Sequence, residues 1–481
     1  MINPLWLAED VVRAVRGRCL HEQSWTAQGV SIDSRTTAAG DLFIALQGPA
    51  HDGHDHVAAA FAAGAAAALV ARQPSQTPPD APLVFVEDTF AALHELGRAG
   101  RDRAQGKIIA VTGSVGKTST KEMLRLALSA VGKTHANAGS FNNHWGLPLT
   151  LARMPADADY GILEMGMNHV GELAALSKLA RPDIALVTTI EAAHLEFFAN
   201  VEAIADAKAE IFEGLGDGGI AVLNRSNPHF ARLAAAAKNR GVKTIMSFAR
   251  EGKADAVLID CALTGESSAV NAAIAGKNIS YTIGAPGMHT VQNSLGALLT
   301  AFAASGKVQE CAAALAHYKP PKGRGVAQSV GLQDGSNFTL IDDSYNAASP
   351  AAVRASIGVL AAISPTHQGR RIMVLGDMRE LGITSPALHA DLAPDIVEAK
   401  IDIVFCCGEM MRYLYDALPA ERRGAFAPDS EALAPFVAAA ARADDVVAVK
   451  GSKSMEMGQV IEALKIHSEG AVIPENFASM R

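Results

Sequence analysis

The stretch Ile108-Ile-Ala-Val-Thr-Gly-Ser-Val-Gly-Lys-Thr-Ser-Thr120 runs without a break from an apolar segment into a glycine-containing turn and then a lysine followed by hydroxyl residues. Ile108 to Val111 is the unbroken hydrophobic run expected of a strand covered on both faces. Gly113 and Gly116 permit a tight turn with exposed backbone N–H groups, and a helix beginning near Lys117 adds the positive end of its dipole. Such a turn cradles phosphate: Lys117 falls against β- and γ-phosphates, and the Thr118 hydroxyl suits a Mg²⁺ ion between them. Gly113, Ser114, Val115, Gly116, Lys117, Thr118 and Ser119 are therefore the expected ATP-binding loop. The alternative is an ordinary turn between strand and helix; the run GKTST directly after the apolar strand favours the nucleotide. The loop departs from G-x-x-x-x-G-K-[ST], because Val111 stands where that pattern has its first glycine.

A chain of 481 residues suggests about three domains at roughly 150 residues each. Its 50 acidic and 42 basic residues give a net charge of -8, which offers no electrostatic reason for nucleic acid or an anionic membrane as partner. Anionic substrates must then be met by local clusters. Cys19, Cys261, Cys311, Cys406 and Cys407 lack C-x-x-C spacing and read as reduced cysteines, not a metal site or disulfide framework. The N-terminus has no basic start with a sustained apolar core, and the longest apolar run, Val57 to Ala71, is shorter than the roughly 20 residues that span a bilayer. The expectation is a cytoplasmic enzyme without membrane insertion.

The order of elements predicts an α/β protein of three domains. A small N-terminal α/β domain, 1–105, has no phosphate loop; within it Ser34 and Arg35 can form a diphosphate clamp, although from the residues alone Arg35 reads as a surface ion pair. The central domain, 106–317, alternates strands with helices as a mostly parallel sheet requires, with strands at Ile108 to Thr112, Tyr160 to Glu164, Ile184 to Thr188 and Ile220 to Asn224. Glu164 and His194 follow two of these strands, at the edge where open α/β sheets bind ligands; together they suit a divalent metal or a general base, and each alone could be an ordinary strand-end residue. Asn142 and Asn143 lie on a glycine-bounded loop and are able to hydrogen-bond phosphate or a substrate carboxylate. Lys208 sits on a helix whose apolar stripe is Ile204, Ala207, Ile211 and Phe212, and in isolation reads as a solvated lysine. Tyr318 to Gly325, with two prolines and two glycines, marks a hinge-like linker to the third domain, 318–481. That domain's strands, Phe338 to Asp342, Ile372 to Leu375, Ile403 to Cys406 and Val446 to Val449, describe a Rossmann-like sheet without the dinucleotide fingerprint. Asp343 is its candidate for a ribose hydroxyl, or else a solvated acid.

TGSVGKTSTKEM, GSFNNHWGLPLTL, LEMGMNHVGEL, DDSYNAASP, VLGDMRELG and VKGSKSMEM together cover nearly the whole chain and resemble the Mur ligases, with F-N-N and G-D-M-x-E-L-G closest to the dipeptide-adding branch. One departure is Tyr345-Asn-Ala-Ala-Ser-Pro350, a residue longer before the proline than the family's Y-N-A-N-P. The resemblance implies an ADP-forming ligase of peptidoglycan precursor synthesis that joins D-alanyl-D-alanine to UDP-N-acetylmuramoyl-tripeptide through an acyl phosphate, as a monomer. It implies that Ser34 and Arg35 hold the UDP end, that Asn293 and Arg324 contact the nucleotide, and that Lys208, as a carbamate, joins Thr118, Glu164 and His194 around Mg²⁺. Without the family, Asn293 is a helix-start amide and Arg324 a solvated linker arginine. The competing readings are another Mur ligase, a folylpolyglutamate synthase, or a non-enzymatic ATP-binding switch; Lys117, Thr118, Glu164 and Lys208 at separate element ends favour chemistry over the switch.

Overall fold

A computed structural model of the chain describes residues 4–19, 24–48, 51–78, 80–139 and 141–468. Three large sheets organise these residues, beside a two-stranded ribbon of Trp6–Leu7 and Thr26–Ala27. The central sheet has nine strands, in the order Lys277–Ile283, Ser268–Ile274, Ala256–Leu263, Thr244–Ala249, Ile220–Asn224, Ile184–Val187, Lys107–Thr112, Tyr160–Glu164, Thr134–Ala136. Its pairings are parallel except the two that build the hairpins at the first-named edge. Strand Lys107–Thr112 lies between Ile184–Val187 and Tyr160–Glu164, with Val111 opposite both Leu186 and Glu164. Its residues alternate between two cores: Ile109 and Val111 pack under helices Lys117–Ser129 and Met288–Ser305, and Ile108 and Ala110 under Gly146–Ala152 and Glu172–Ala180. An unbroken apolar run is what such two-sided burial demands.

The N-terminal sheet has five strands, parallel apart from the short edge strand Arg18–Cys19. Val57 to Ala71 divides into a helix, Val57–Ala62, and a strand, Ala67–Val70. Among the described residues no helix is long and apolar enough to cross a membrane. The third sheet has six strands, in the order Val326–Gly331, Asn337–Asp343, Val446–Lys450, Arg371–Gly376, Ile403–Cys407, Arg423–Ala427, and only Val326–Gly331 runs antiparallel. All eight strands expected in the two larger domains are present, their ends matching or shifted by one residue.

Two features differ from expectation. The helix after Gly287 begins at once, at Met288, so Asn293 stands in its second turn. Ala256–Leu263, Ser268–Ile274 and Lys277–Ile283 form an antiparallel meander that the reading of alternating strands and helices passed over. The last two are joined by Ala275 and Gly276, both with positive φ (50° and 77°). This conformation normally advertises itself as Asn-Gly, and alanine hides it.

Candidate active site

The carboxyl edges of the central and third sheets face each other across a cleft of about 1250 Å³. Lys117, Thr118, Asn142, Asn143, Glu164, His194, Asn293, Arg324 and Asp343 all line it. Ser34, Arg35, Gly113 and Lys208 do not.

The phosphate loop is held by two close approaches. Gly113 has φ +147°, and a Cβ there would stand 1.9 Å from Thr188 Oγ1; Gly116, at φ +85°, lies against the Asn293 amide, which a Cβ would meet at 2.8 Å. Only glycine satisfies both backbone and neighbour at these positions. Gly116 leads directly into helix Lys117–Ser129, so the helix N-terminus opens into the cleft. Lys117 Nζ folds back to donate to the carbonyls of Gly113 (2.7 Å) and Ser114 (3.2 Å). Burial pushes its pKa down, the Glu164 carboxylate offsets this, and the charge of Arg324, arriving from the linker, adds to the depression.

Glu164 ends its strand fully buried. Its backbone N–H donates to Asn137 Oδ1 (2.9 Å), Asn142 Nδ2 donates to Oε1 (2.7 Å), and Oε2 is buried without a partner. An unpaired buried carboxylate oxygen beside a phosphate loop fits a cation ligand. Asn143 instead turns its Oδ1 onto the N–H groups of Trp145 and Gly146, where helix Gly146–Ala152 begins. The loop carrying both asparagines is anchored by Lys121, which the sequence reading did not single out. Its Nζ is fully buried, donates to Asn137 O (2.8 Å) and Gly139 O (3.1 Å), and pairs with Glu122 (2.7 Å). Lys121→Ala strands two carbonyls and half of an ion pair; a loss of about 3 kcal/mol is expected, measured by urea unfolding.

His194 has positive φ (62°), and its Nδ1 contacts the carboxylate of Glu380, which reaches over from the third domain. Burial lowers the His194 pKa first, the Lys117 charge lowers it further, Glu380 raises it, and Lys208 lowers it again. Lys208 is no solvated lysine: 1% exposed, it is held well below its ordinary pKa by burial and then by Lys117. The two lysines and the histidine thus feel one another's charge. Among the described residues nothing pairs with Lys208 Nζ, and no three His, Cys, Asp or Glu side chains converge as a metal site.

From the third domain, Arg324 stacks over the Tyr345 ring (4.6 Å), and Asp343 accepts from Lys450 Nζ (2.8 Å), which also donates to Asn346 O (3.0 Å). Asp343 is therefore not a solvated acid. In the longer Tyr345 to Pro350 segment, Ser349 caps helix Pro350–Ala362 by accepting from Ala352 N. Arg35 lies elsewhere, 86% exposed, its fork on Asp33 (2.6 Å), whose carboxyl it holds down to about 2. That is the surface ion pair the residues alone suggest. Glu191, Arg354, Glu380 and Lys450 were not singled out from sequence; Glu380 and Lys450 lay within quoted strand-end motifs, Glu191 is an acid just past strand Ile184–Val187 in the stretch that carries His194, and Arg354 carried no local signal.

A phosphate loop beside a half-unpaired carboxylate, in a cleft lined by three domains, is the architecture of a nucleotide-dependent ligase. Three family models match in sequence: Mur ligase family, catalytic domain, over 26–101; Mur ligase middle domain over 111–301; and Mur ligase, glutamate ligase domain, over 328–453. The UDP-N-acetylmuramoyl-tripeptide--D-alanyl-D-alanine ligase of Rickettsia prowazekii is 35% identical, covering 90% of this chain and 94% of its own. The crystal structure of MurF from Acinetobacter baumannii superposes with a TM-score of 0.80 at 30% identity, over 97% of this chain and 99% of that one. MurF from Thermotoga maritima in complex with ADP gives 0.75 at 27%, over 92% and 98%. The chain belongs to the Mur ligase family.

Proposed function

We propose that this protein joins D-alanyl-D-alanine to UDP-N-acetylmuramoyl-tripeptide at the expense of ATP, in the cytoplasmic synthesis of peptidoglycan precursors. The observation that carries the reading is Glu164 Oε2, buried and unpartnered beside Lys117 in a cleft that Arg324 also lines. The division of labour follows the sheets: 1–105 for the UDP end, 106–317 for ATP, and 318–481 for the dipeptide and closure over the nucleotide.

A carboxylate does not condense with an amine unaided. The tripeptide's terminal carboxylate oxygen attacks the γ-phosphorus of ATP and ADP leaves; the amine nitrogen then attacks the acyl carbon. The tetrahedral intermediate expels inorganic phosphate, which keeps the carboxylate's oxygen, and the nitrogen sheds a proton. Lys117 and the loop N–H groups lie where they stabilise charge on the transferred phosphoryl group. Thr118, Glu164 and His194 would hold Mg²⁺, which supplies charge neutralisation and orientation of the phosphates; one or two protein carboxylates with phosphate oxygens suffice for that ion. His194 can do this through Nε2 while Nδ1 stays on Glu380, the usual carboxylate–histidine–metal arrangement.

Lys208 completes this set as a carbamate. Burial first and then the Lys117 charge favour the neutral amine, whose nitrogen lone pair can bond to the carbon of CO₂ as a proton leaves. A side chain whose charged form would repel Lys117 becomes an anion that attracts it.

Purified protein given the UDP-tripeptide and ATP should release ADP with D-Ala-D-Ala. Release with glutamate or a diamino acid, and none with the dipeptide, would refute the assignment. Arg35→Ala should raise the KM for the UDP substrate about tenfold or more, as expected for loss of a bidentate phosphate contact, with the KM for ATP unchanged. Equal effects on both substrates would reject the clamp.

A further inference from the structure

We propose that Glu191 and Arg354 are the two ends of a seat for the zwitterionic amine substrate, the acid taking its ammonium and the guanidinium its carboxylate; this rests on the ligase reading above. The two residues line the cleft from opposite walls, Glu191 after strand Ile184–Val187 of the central sheet and Arg354 on helix Pro350–Ala362 of the third domain. Of the acids lining the cleft, Asp343 is paired with Lys450, Glu164 accepts from Asn142, and Glu172 accepts from the amides of Asn168 and His169. Glu191 is different. Among the described residues its carboxylate meets only a neutral hydroxyl, Thr189 Oγ1, at 3.0 Å.

That carboxylate is built into place. Asn227 Nδ2 donates to Thr189 Oγ1 (3.0 Å), which orients the hydroxyl toward Glu191. Ser114, inside the phosphate loop, accepts from Glu191 N (3.0 Å) and donates to Glu191 O (3.1 Å). An ammonium on Glu191 is thereby registered to the loop that carries the transferred phosphoryl group, where the amine must attack.

Arg354 uses Nε on Asp395 (2.7 Å) and Nη2 on Asp391 O (3.4 Å), and its Nη1 has no partner among the described residues. Burial raises the pKa of the Glu191 carboxyl, and the Thr189 hydrogen bond and the Arg354 charge oppose this without Glu191 and Arg354 forming an ion pair. A dipeptide holds its ammonium and carboxylate roughly 6 Å apart. A zwitterion can satisfy two opposite charges that do not touch, whereas a phosphate or a simple amine satisfies one and leaves the other.

The test compares D-Ala-D-Ala with its C-terminal amide, using the full-length enzyme with ATP and the UDP-tripeptide. Glu191→Gln should raise the KM for D-Ala-D-Ala at least tenfold, with the KM values for ATP and the UDP substrate within twofold of wild type. The wild type should prefer the free acid to the amide, Arg354→Gln should lose that preference, and Arg354→Lys, which keeps the charge and a partner for Asp395, should retain it. A dipeptide KM unchanged in Glu191→Gln, or a raised magnesium requirement in its place, would overturn the seat. So would an Arg354→Gln enzyme that still prefers the acid. Failure of the wild type to use D-Ala-D-Ala at all would instead remove the ligase reading, and the seat with it.

Discussion

Lys117→Ala is expected to lose ATP turnover by about a hundredfold or more while its urea midpoint stays near that of wild type. The side chain lies inside the loop on the carbonyls of Gly113 and Ser114, with its ammonium within reach of the Glu164 charge. Removing a preorganised donor from a developing phosphoryl charge costs roughly 3 kcal/mol or more of transition-state stabilisation. The backbone it leaves is fixed by Gly113 against Thr188 and Gly116 against Asn293, contacts that do not involve the lysine. Phosphate release from the mutant at near wild-type rate would make the loop a structural turn only.

Lys208→Ala should be at least about a hundredfold less active, in line with the loss of a supporting anion at a metal site. Added formate or acetate should restore part of the activity by occupying the space as a substitute anion. Lys208→Arg should remain inactive, since it keeps a cation beside Lys117 and His194 where the account requires a carboxylate. Full activity in Lys208→Arg would show that neither the carbamate nor any anion is needed there. Mass spectrometry of the intact native protein, read for one added CO₂, gives the same answer without a mutant.

What could be read from the chain alone followed from local chemistry. Ile108 to Thr120 announces its strand, turn and helix because each residue type is required by its own backbone, and the structure forms all three. Glu164 was visible as an acid ending an apolar strand. Its asymmetry was not, because Oε1 is satisfied by Asn142 and Oε2 is left alone only once a distant loop folds over it. Lys208 shows the same limit: a helical lysine above an apolar stripe looks solvated until the surrounding chain covers it. Arg35 went the other way, with a local partner, Asp33, two residues off and legible from the residues alone. That Glu191 and Arg354 line one cleft, 163 positions apart in sequence, leaves no periodic or motif trace.

The central claim is that the tripeptide carboxylate becomes an acyl phosphate before the amine arrives. Prepare the UDP-tripeptide with ¹⁸O in its terminal carboxylate, react it with ATP and D-Ala-D-Ala, and analyse the released phosphate by mass spectrometry. One ¹⁸O atom per phosphate, formed with D-Ala-D-Ala and not with glutamate or a diamino acid, is the predicted result. Phosphate without ¹⁸O, released at the rate of dipeptide addition, would contradict it.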